Sequence, residues 1–406
     1  MKNVIKFVLF VHLSNGAFAQ SWLPIIQDTI VDNAHEFWFD GSAQYNGNSL
    51  NRNLASKLFY GGDISAEIKD ENLSRMKNVN LFYSDIQSEV SYRNTKGSFF
   101  RNKRLGWSVK MGVASYLTAN FTTQAFQLAF YGNGPFVGKI ADISGSRIQN
   151  FTFEKIGFGL IDKKTSSSLH LNFVNLTNYT DLHVYNGGLY QSPDIDTLQV
   201  LLNGKFRQFG NGSFSSGLGA SVDIDKRFHV LKNNGDPLFF RMELSNIGIV
   251  RASSSRSYRA DTLIEFTGVT FDDLTGGVSL LDSSSQLLNE LGILSAQEKS
   301  WVMLPFSVQL SKMVNTTSKS MIQEFYGVRM FYLSDIQVFA GVDFCVPLRG
   351  KIKWHIGTNL SYGGSANFML GNYSHLSFRN VYVGMVSENL LLRSGESFKL
   401  KVQCVF

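Results

Sequence analysis

Apolar and polar residues alternate one by one through most of this 406-residue chain, from about Leu54 onward. A period of two admits strands with one apolar and one polar face. Leu105, Trp107, Val109, Met111 and Val113 alternate with Ser108, Lys110 and Gly112. Ile352, Trp354, Ile356, Thr358, Leu360 and Tyr362 alternate with Lys353, His355, Gly357, Asn359 and Ser361. Tyr326, Val328, Met330 and Tyr332 flank Gly327 and Arg329, and Leu198, Val200, Leu202 and Phe206 flank Gln199, Asn203, Lys205 and Arg207.

The polar face carries charge in mid-strand, at Lys110, Lys205, Arg207, Arg241, Glu243, Arg329, Asp343, Lys353, Lys399 and Lys401. Alternation alone also fits a large soluble β-sandwich or solenoid, whose polar face meets water. Three features point instead to an all-β, antiparallel transmembrane β-barrel. The strands run to ~9–11 residues or more, the length of a tilted membrane strand. They repeat with no helical layer to cover a sheet. Their apolar face is aromatic, with Tyr and Trp near strand ends as in interfacial girdles. Composition agrees: aromatics are 13% and charged residues only 17%, against about 25% charged in an average soluble domain. Residues 54–406, at ~25 residues per strand and connection, give about 14 strands, an even number as single-chain bacterial barrels require.

The ends address the chain to an outer membrane. Lys2 and Lys6, an apolar run from Val4 to Leu13, and Ala17-Phe18-Ala19 before Gln20 form a signal-peptide pattern over residues 1–19. That run is too short to span a bilayer as a helix, which takes ~20 residues. At the other end Phe398, Leu400, Val402, Cys404 and Phe406 alternate with Lys399, Lys401, Gln403 and Val405. An aromatic last residue on such a strand suits the barrel-assembly machinery. The expected location is the cell outer membrane, with membrane lipid as the first partner.

Two stretches break the pattern. Residues 20–53 are mixed and are expected to be an N-terminal extension or a plug. Residues 283–299 read as a short helix in a long connection, with Leu287, Leu288, Leu291 and Leu294 at helical spacing. Cys345 and Cys404 fall on opposite strand faces by parity, which argues against a disulfide.

Motifs of chemistry are absent from the sequence. The seven histidines form no metal-binding pattern. There is no nucleophile elbow or phosphate-binding loop, and no spacing pairs a Ser with a His. No enzyme activity, cofactor or metal is expected. The net charge of +6 is scattered, without the basic stripe of a nucleic-acid binder. The candidate functional residues are therefore lumen-facing polar groups: the ten charged residues above with Asp223 and His355. They either form a selectivity surface or pair across neighbouring strands and fill the lumen; Arg241 and Glu243 are expected to form a ladder with Asp223 on the preceding strand.

Several stretches carry a resemblance. Phe130-Tyr131-Gly132-Asn133-Gly134-Pro135-Phe136-Val137-Gly138 is followed by Ala141-Asp142-Ile143 and by Phe153-Glu154-Lys155-Ile156-Gly157-Phe158-Gly159. Ser245-Asn246-Ile247-Gly248-Ile249-Val250, Phe266-Thr267-Gly268-Val269 and Leu304-Pro305-Phe306-Ser307-Val308 come later. In this order they resemble an uncharacterised family of Bacteroidota outer-membrane barrels, a domain of unknown function grouped with PorP/SprF-like proteins and more distantly with FadL-like transporters. The resemblance implies a barrel of about 14 strands without catalytic residues. FadL-like chains carry Asn-Pro-Ala near the first strand; here Asn53-Leu54-Ala55 lacks the proline. Two functions follow as expectations: a conduit for a small hydrophobic solute, or a non-transporting barrel that anchors a surface or periplasmic complex. Gly132, Gly134 and Gly138 are expected to allow a tight connection, with Asn133 in a turn.

Overall fold

A computed structural model describes residues 25–26, 35–209, 215–231, 237–266, 292–316, 318, 320–332, 334–348, 352–364, 366–390 and 395–406. Eighteen strand segments form one sheet. In chain order they begin with β1 (Ile25–Ile26), β2 (His35–Gly47), β3 (Asn80–Asn94), β4 (Leu105–Phe121), β5 (Ile140–Asp142) and β6 (Arg147–Asp162). Then come β7 (Ser168–Gln191), β8 (Leu198–Phe209), β9 (Gly217–Leu231), β10 (Pro237–Phe266), β11 (Ile293–Met303) and β12 (Ser307–Asn315). The last six are β13 (Ile322–Phe331), β14 (Gln337–Pro347), β15 (Ile352–Gly363), β16 (Ala366–Phe378), β17 (Val381–Ser387) and β18 (Gly395–Val405).

The ring closes where β18 pairs with β2, Val402 opposite Phe39 and Lys401 opposite Asp40. Three pairs of segments are collinear. β8 and β9 run end to end between β7 and β10. β11 and β12 do the same beside β10, and β5 and β6 beside β7. β1 is a two-residue stub parallel to the end of β12. The described segments therefore occupy fourteen positions in an antiparallel wall, the number the sequence leads one to expect.

The faces are inverted relative to a soluble protein. On β7, Leu171 is 65% exposed while its neighbours His170 and Asn172 are 4% and 0% exposed. Met111 and Ile156 are exposed in the same way, whereas Lys110 and Lys155 are buried. Apolar rows outside and polar rows inside suit a wall surrounded by hydrocarbon. Backbone bonds of 2.9 Å in both directions between His35 and Phe406 put the first and last wall strands at one end. Connections at that end are short, such as residues 163–167 and 379–380, while the far end carries residues 48–79 and 122–139. In bacterial barrels short turns are periplasmic and long loops extracellular; here the far end is the long-loop end. β7 and β10, with 24 and 30 residues, run well beyond the ~9–11 that cross a bilayer.

Three helices decorate that end. α1 (Arg52–Tyr60) starts at Asn51, whose side chain accepts a bond from the Leu54 amide. α2 (Ala66–Ser74) is tied to it by Asn72, which bonds both the Asn51 amide and side chain. α3 (Thr123–Tyr131) is capped by Thr122 and stops at Gly132, whose φ of 73° suits a residue without Cβ. Asn133 then opens a 3-10 turn over Gly134–Phe136.

Four sequence expectations are corrected. His35–Gly47 is not part of an extension or plug. It is the wall strand that closes the ring, because Phe37, Phe39, Ala43 and Tyr45 turn outward and Trp38, Asp40, Ser42 and Gln44 turn inward. The barrel thus begins before Leu54, and Leu54 itself lies in α1. Ile293–Met303 is strand β11, since Leu294 pairs with Arg259 of β10; the rest of the expected helix, with Leu287, Leu288 and Leu291, lies outside the described residues. The chain's helices among the described residues are α1 to α3 instead. The expected signal peptide, residues 1–19, also lies outside the described residues, as do 20–24 and 27–34. Cys345 is a free thiol opposite His355 on the inner face, and Cys404, also free, faces Phe37 and Val381 on the outer one.

Candidate functional site

Inward-facing side chains bond to one another inside the barrel. Its centre is a knot around Asp223. Lys110 and Lys155 both bond Asp223, and both also reach Glu89 at 3.1 Å. Lys110 lies on β4 and Asp223 on β9, so the pair bridges the two intervening wall strands β6 and β7. Asn172 donates to Asp223 at 3.0 Å, and the Asn246 amide at 2.5 Å. Asn246 sits at a bulge of β10 with φ 58°, a left-handed conformation that Asn tolerates. The bulge turns its side chain inward, where it accepts from Lys155 at 2.9 Å and donates to the Tyr116 hydroxyl at 3.1 Å. Gly248 follows because a Cβ there would come within 2.2 Å of the Ala220 carbonyl oxygen. The Asn-Ile-Gly-Ile stretch thus codes for this knot.

On the long-loop side of the knot lies an aromatic layer. Tyr116 stacks on Phe153 with centroids 5.9 Å apart, and Phe151 touches Tyr179 at 4.8 Å. Tyr332 meets Phe151 edge-on at 5.8 Å, and Phe331 stacks on Tyr83 at 5.7 Å. These contacts join β3 and β6 to the far wall. Asp181 holds Arg147 at 2.9 Å, Arg207 at 2.5 Å and the Tyr179 hydroxyl at 3.1 Å beside this layer.

The wall from β13 to β18 has its own buried groups. Arg329 grips Glu388 with two bonds of 2.7 and 2.5 Å, and its Nε donates to Gln337 at 2.5 Å. Asp343 bonds His355 Nδ1 at 2.8 Å and accepts from the Tyr373 hydroxyl at 2.5 Å. Nearer the short-turn end, Asp225 holds Arg241 at 2.9 Å and Arg227 at 3.1 Å, and Glu243 holds Arg241 at 3.0 Å. Asp40 takes Lys399 at 3.0 Å, with Lys401 4.0 Å away.

The twelve candidate residues fall into separate bonded groups. The ladder expected of Arg241, Glu243 and Asp223 is corrected: Arg241 uses Asp225, two residues further along β9, because Asp223 is taken by the lysines. Lys205 bonds Glu298 at 2.9 Å towards the long-loop end, and Lys353 donates to the Thr316 carbonyl at 2.7 Å near the short-turn end. Sequence reading passed over Glu89, Lys155, Asn246 and Glu388. Glu89 and Lys155 share the inward parity of their strands, which was the available signal. A Ser–His pair that no spacing announces is present, Ser108 Oγ to His170 Nε2 at 2.7 Å. Ser108 is 0% exposed, so no substrate carbonyl can reach it.

The rim holds an apolar cavity of about 660 Å³ between helices and the outside of the wall. Leu58 and Phe59 of α1, Phe126 and Phe130 of α3, and Leu117 and Ile148 of the wall line it. Tyr45 and Phe82, on the outward parity of β2 and β3, anchor α1 through Phe59 at 5.4 and 5.9 Å. α3 is fixed to α2 by the Tyr131 hydroxyl, 2.5 Å from Asp70. Partial burial and then that carboxylate push the phenol up to about 12. A smaller cavity of about 260 Å³ opens on the lumen side of the same rim, and the two share Phe82, Ala119, Asn120 and Arg147.

No family model matches this chain, and no curated relative matches it. Solved structures similar to it include the translocator domain of the autotransporter NalP from Neisseria meningitidis, at 8% identity and TM-score 0.27, covering 100% of this chain and 96% of that one. The Pseudomonas putida toluene transporter TodX is similar at 10% identity and TM-score 0.33, covering 93% and 89%. A mutant Rh. blastica porin is similar at 8% identity and TM-score 0.22, covering 92% and 99%. All are outer-membrane β-barrel proteins. The barrel assignment here rests on the chain's own strand ladder.

Proposed function

We propose that this is an outer-membrane barrel that takes up a small apolar molecule at its extracellular rim. The cavity of about 660 Å³ carries this reading. It falls within the ~300–1,000 Å³ range of small-molecule sites, its lining is almost wholly apolar, and it adjoins the lipid-facing rows of β4 and β6. The second cavity on the lumen side of the shared rim supports a path from the outer leaflet into the barrel mouth. The resemblance of the sequence to FadL-like transporters supports the same class of solute. The Asp223 knot and the aromatic layer support entry at the rim over free diffusion of polar solutes through the centre.

Filling the cavity tests this. Ala125, on the cavity side of α3, is replaced by Trp, and binding of a fluorescent phenylnaphthylamine to the detergent-solubilised protein is titrated. Wild type is expected to bind saturably and Ala125→Trp at least tenfold more weakly, with unchanged heat-modifiable gel mobility. Equal binding by both proteins would remove the cavity from the account.

The filled lumen also favours a second reading, a non-transporting barrel that anchors a surface complex, in line with the PorP/SprF-like resemblance. That reading expects partners to remain bound after gentle crosslinking and the apolar probe to find no saturable site.

A further inference from the structure

Below the knot, towards the short-turn end, the lumen contains a polar cavity of about 140 Å³. Its charges do not all find partners. Asp225, Glu243 and Asp40 are engaged by Arg227, Arg241 and Lys399. Glu36 accepts from Trp38 Nε1 at 2.8 Å and from Gln403 at 3.4 Å. Two cations on the lining make no close ion pair, although Arg93 lies opposite Glu36 in the strand register. Lys401 has Asp40 only at 4.0 Å. Arg93 makes no ion pair among the described residues, and its buried Nε has no hydrogen-bond partner. Both side chains lie against the same indole, each 4.3 Å from the Trp38 ring centroid. The strand register explains this. Trp38 of β2 is opposite Gln403 of β18 and Ser91 of β3, so Lys401 and Arg93 are its diagonal neighbours on either side.

Two cations bracketing one ring repel each other, and an unbonded guanidinium nitrogen inside a protein is costly. The cavity beside them exceeds the ~30 Å³ that one water occupies in the liquid, which leaves room for a small polyatomic ion. A planar guanidinium with a free N–H edge matches an oxyanion, to which it can give two parallel bonds, and an ammonium adds point charge. We infer that this cavity is a binding site for a small oxyanion of the phosphate type, held by Arg93 and Lys401 on either side of Trp38. The site is independent of the rim cavity and of the function proposed for it.

The test uses the full-length protein in detergent, with inorganic phosphate against chloride at matched ionic strength, read by thermal unfolding and by calorimetric titration. Phosphate is expected to raise the unfolding midpoint saturably, and chloride much less. Arg93→Gln and Lys401→Gln are each expected to weaken phosphate binding at least tenfold. Lys353→Gln, at the same end of the barrel but outside the cavity, should bind as wild type does. Because Arg93 has no ion-pair partner, Arg93→Gln is also expected to unfold at or above the wild-type temperature in phosphate-free buffer. Equal shifts from phosphate and chloride, or undiminished phosphate binding by Arg93→Gln, would overturn the assignment. So would a phosphate-free Arg93→Gln protein that unfolds well below wild type, since the arginine would then have a structural partner.

Discussion

Asp223→Ala is expected to destabilise the barrel by about 3–5 kcal/mol, the cost of removing one partner from a buried ion pair. The carboxylate takes bonds from Lys110, Lys155, Asn172 and the Asn246 amide. Its loss leaves two buried ammonium groups sharing Glu89 alone. The bulge of β10 would lose the bond that holds its backbone inward. Urea unfolding in phospholipid vesicles, followed by tryptophan fluorescence, measures the effect. Adding Lys155→Met to Asp223→Ala should recover part of it, because one uncompensated charge is then gone. A cost below about 1 kcal/mol for Asp223→Ala would place the knot among solvent-screened pairs.

Glu388→Ala should have a similar effect, again about 3–5 kcal/mol. Arg329 is bound through both nitrogens of its fork, and the two side chains are only 3% and 1% exposed. Glu388 follows β17, and its backbone amide is held by Ser397 of β18 at 3.3 Å. The pair therefore fixes the turn that delivers the last strand to β2 as well as neutralising the arginine. Glu388→Gln keeps one acceptor and should cost less than Glu388→Ala. The expected sign in the same unfolding assay is a lower urea midpoint for both, ordered Ala below Gln. A Gln variant as unstable as Ala would assign the effect to charge alone.

The wall was legible because the bilayer imposes one rule on every strand. Leu105 to Val113 and Ile352 to Tyr362 state it openly, and both are strands in the structure. β2 hid because Trp38 is an aromatic residue on the inner face between Phe37 and Phe39, which erases the alternation to the eye. Its indole faces inward where it meets Arg93 and Lys401. β11 was read as helix because leucine spacing ran into it, yet its conformation is set by pairing with β10. The helices α1 and α3 were missed because Leu58, Phe59 and Phe126 pack on the outside of a wall, a surface that local patterns do not announce. Parity gave the face of polar residues such as Lys110 and Asp223, which are buried. Their partners were beyond reach: Lys110 and Asp223 are 113 residues apart and meet only because the wall curves.

Closure of the lumen by its own side chains would separate rim entry and anchoring from an open pore. Conductance of the purified protein in a planar bilayer, in concentrated potassium chloride, tests it most directly. No steady conductance steps are expected from the wild-type chain, because the aromatic contacts of Tyr83 with Phe331 and of Phe151 with Tyr332 cross the path. Regular, long-lived steps of porin size from the wild-type protein would contradict it.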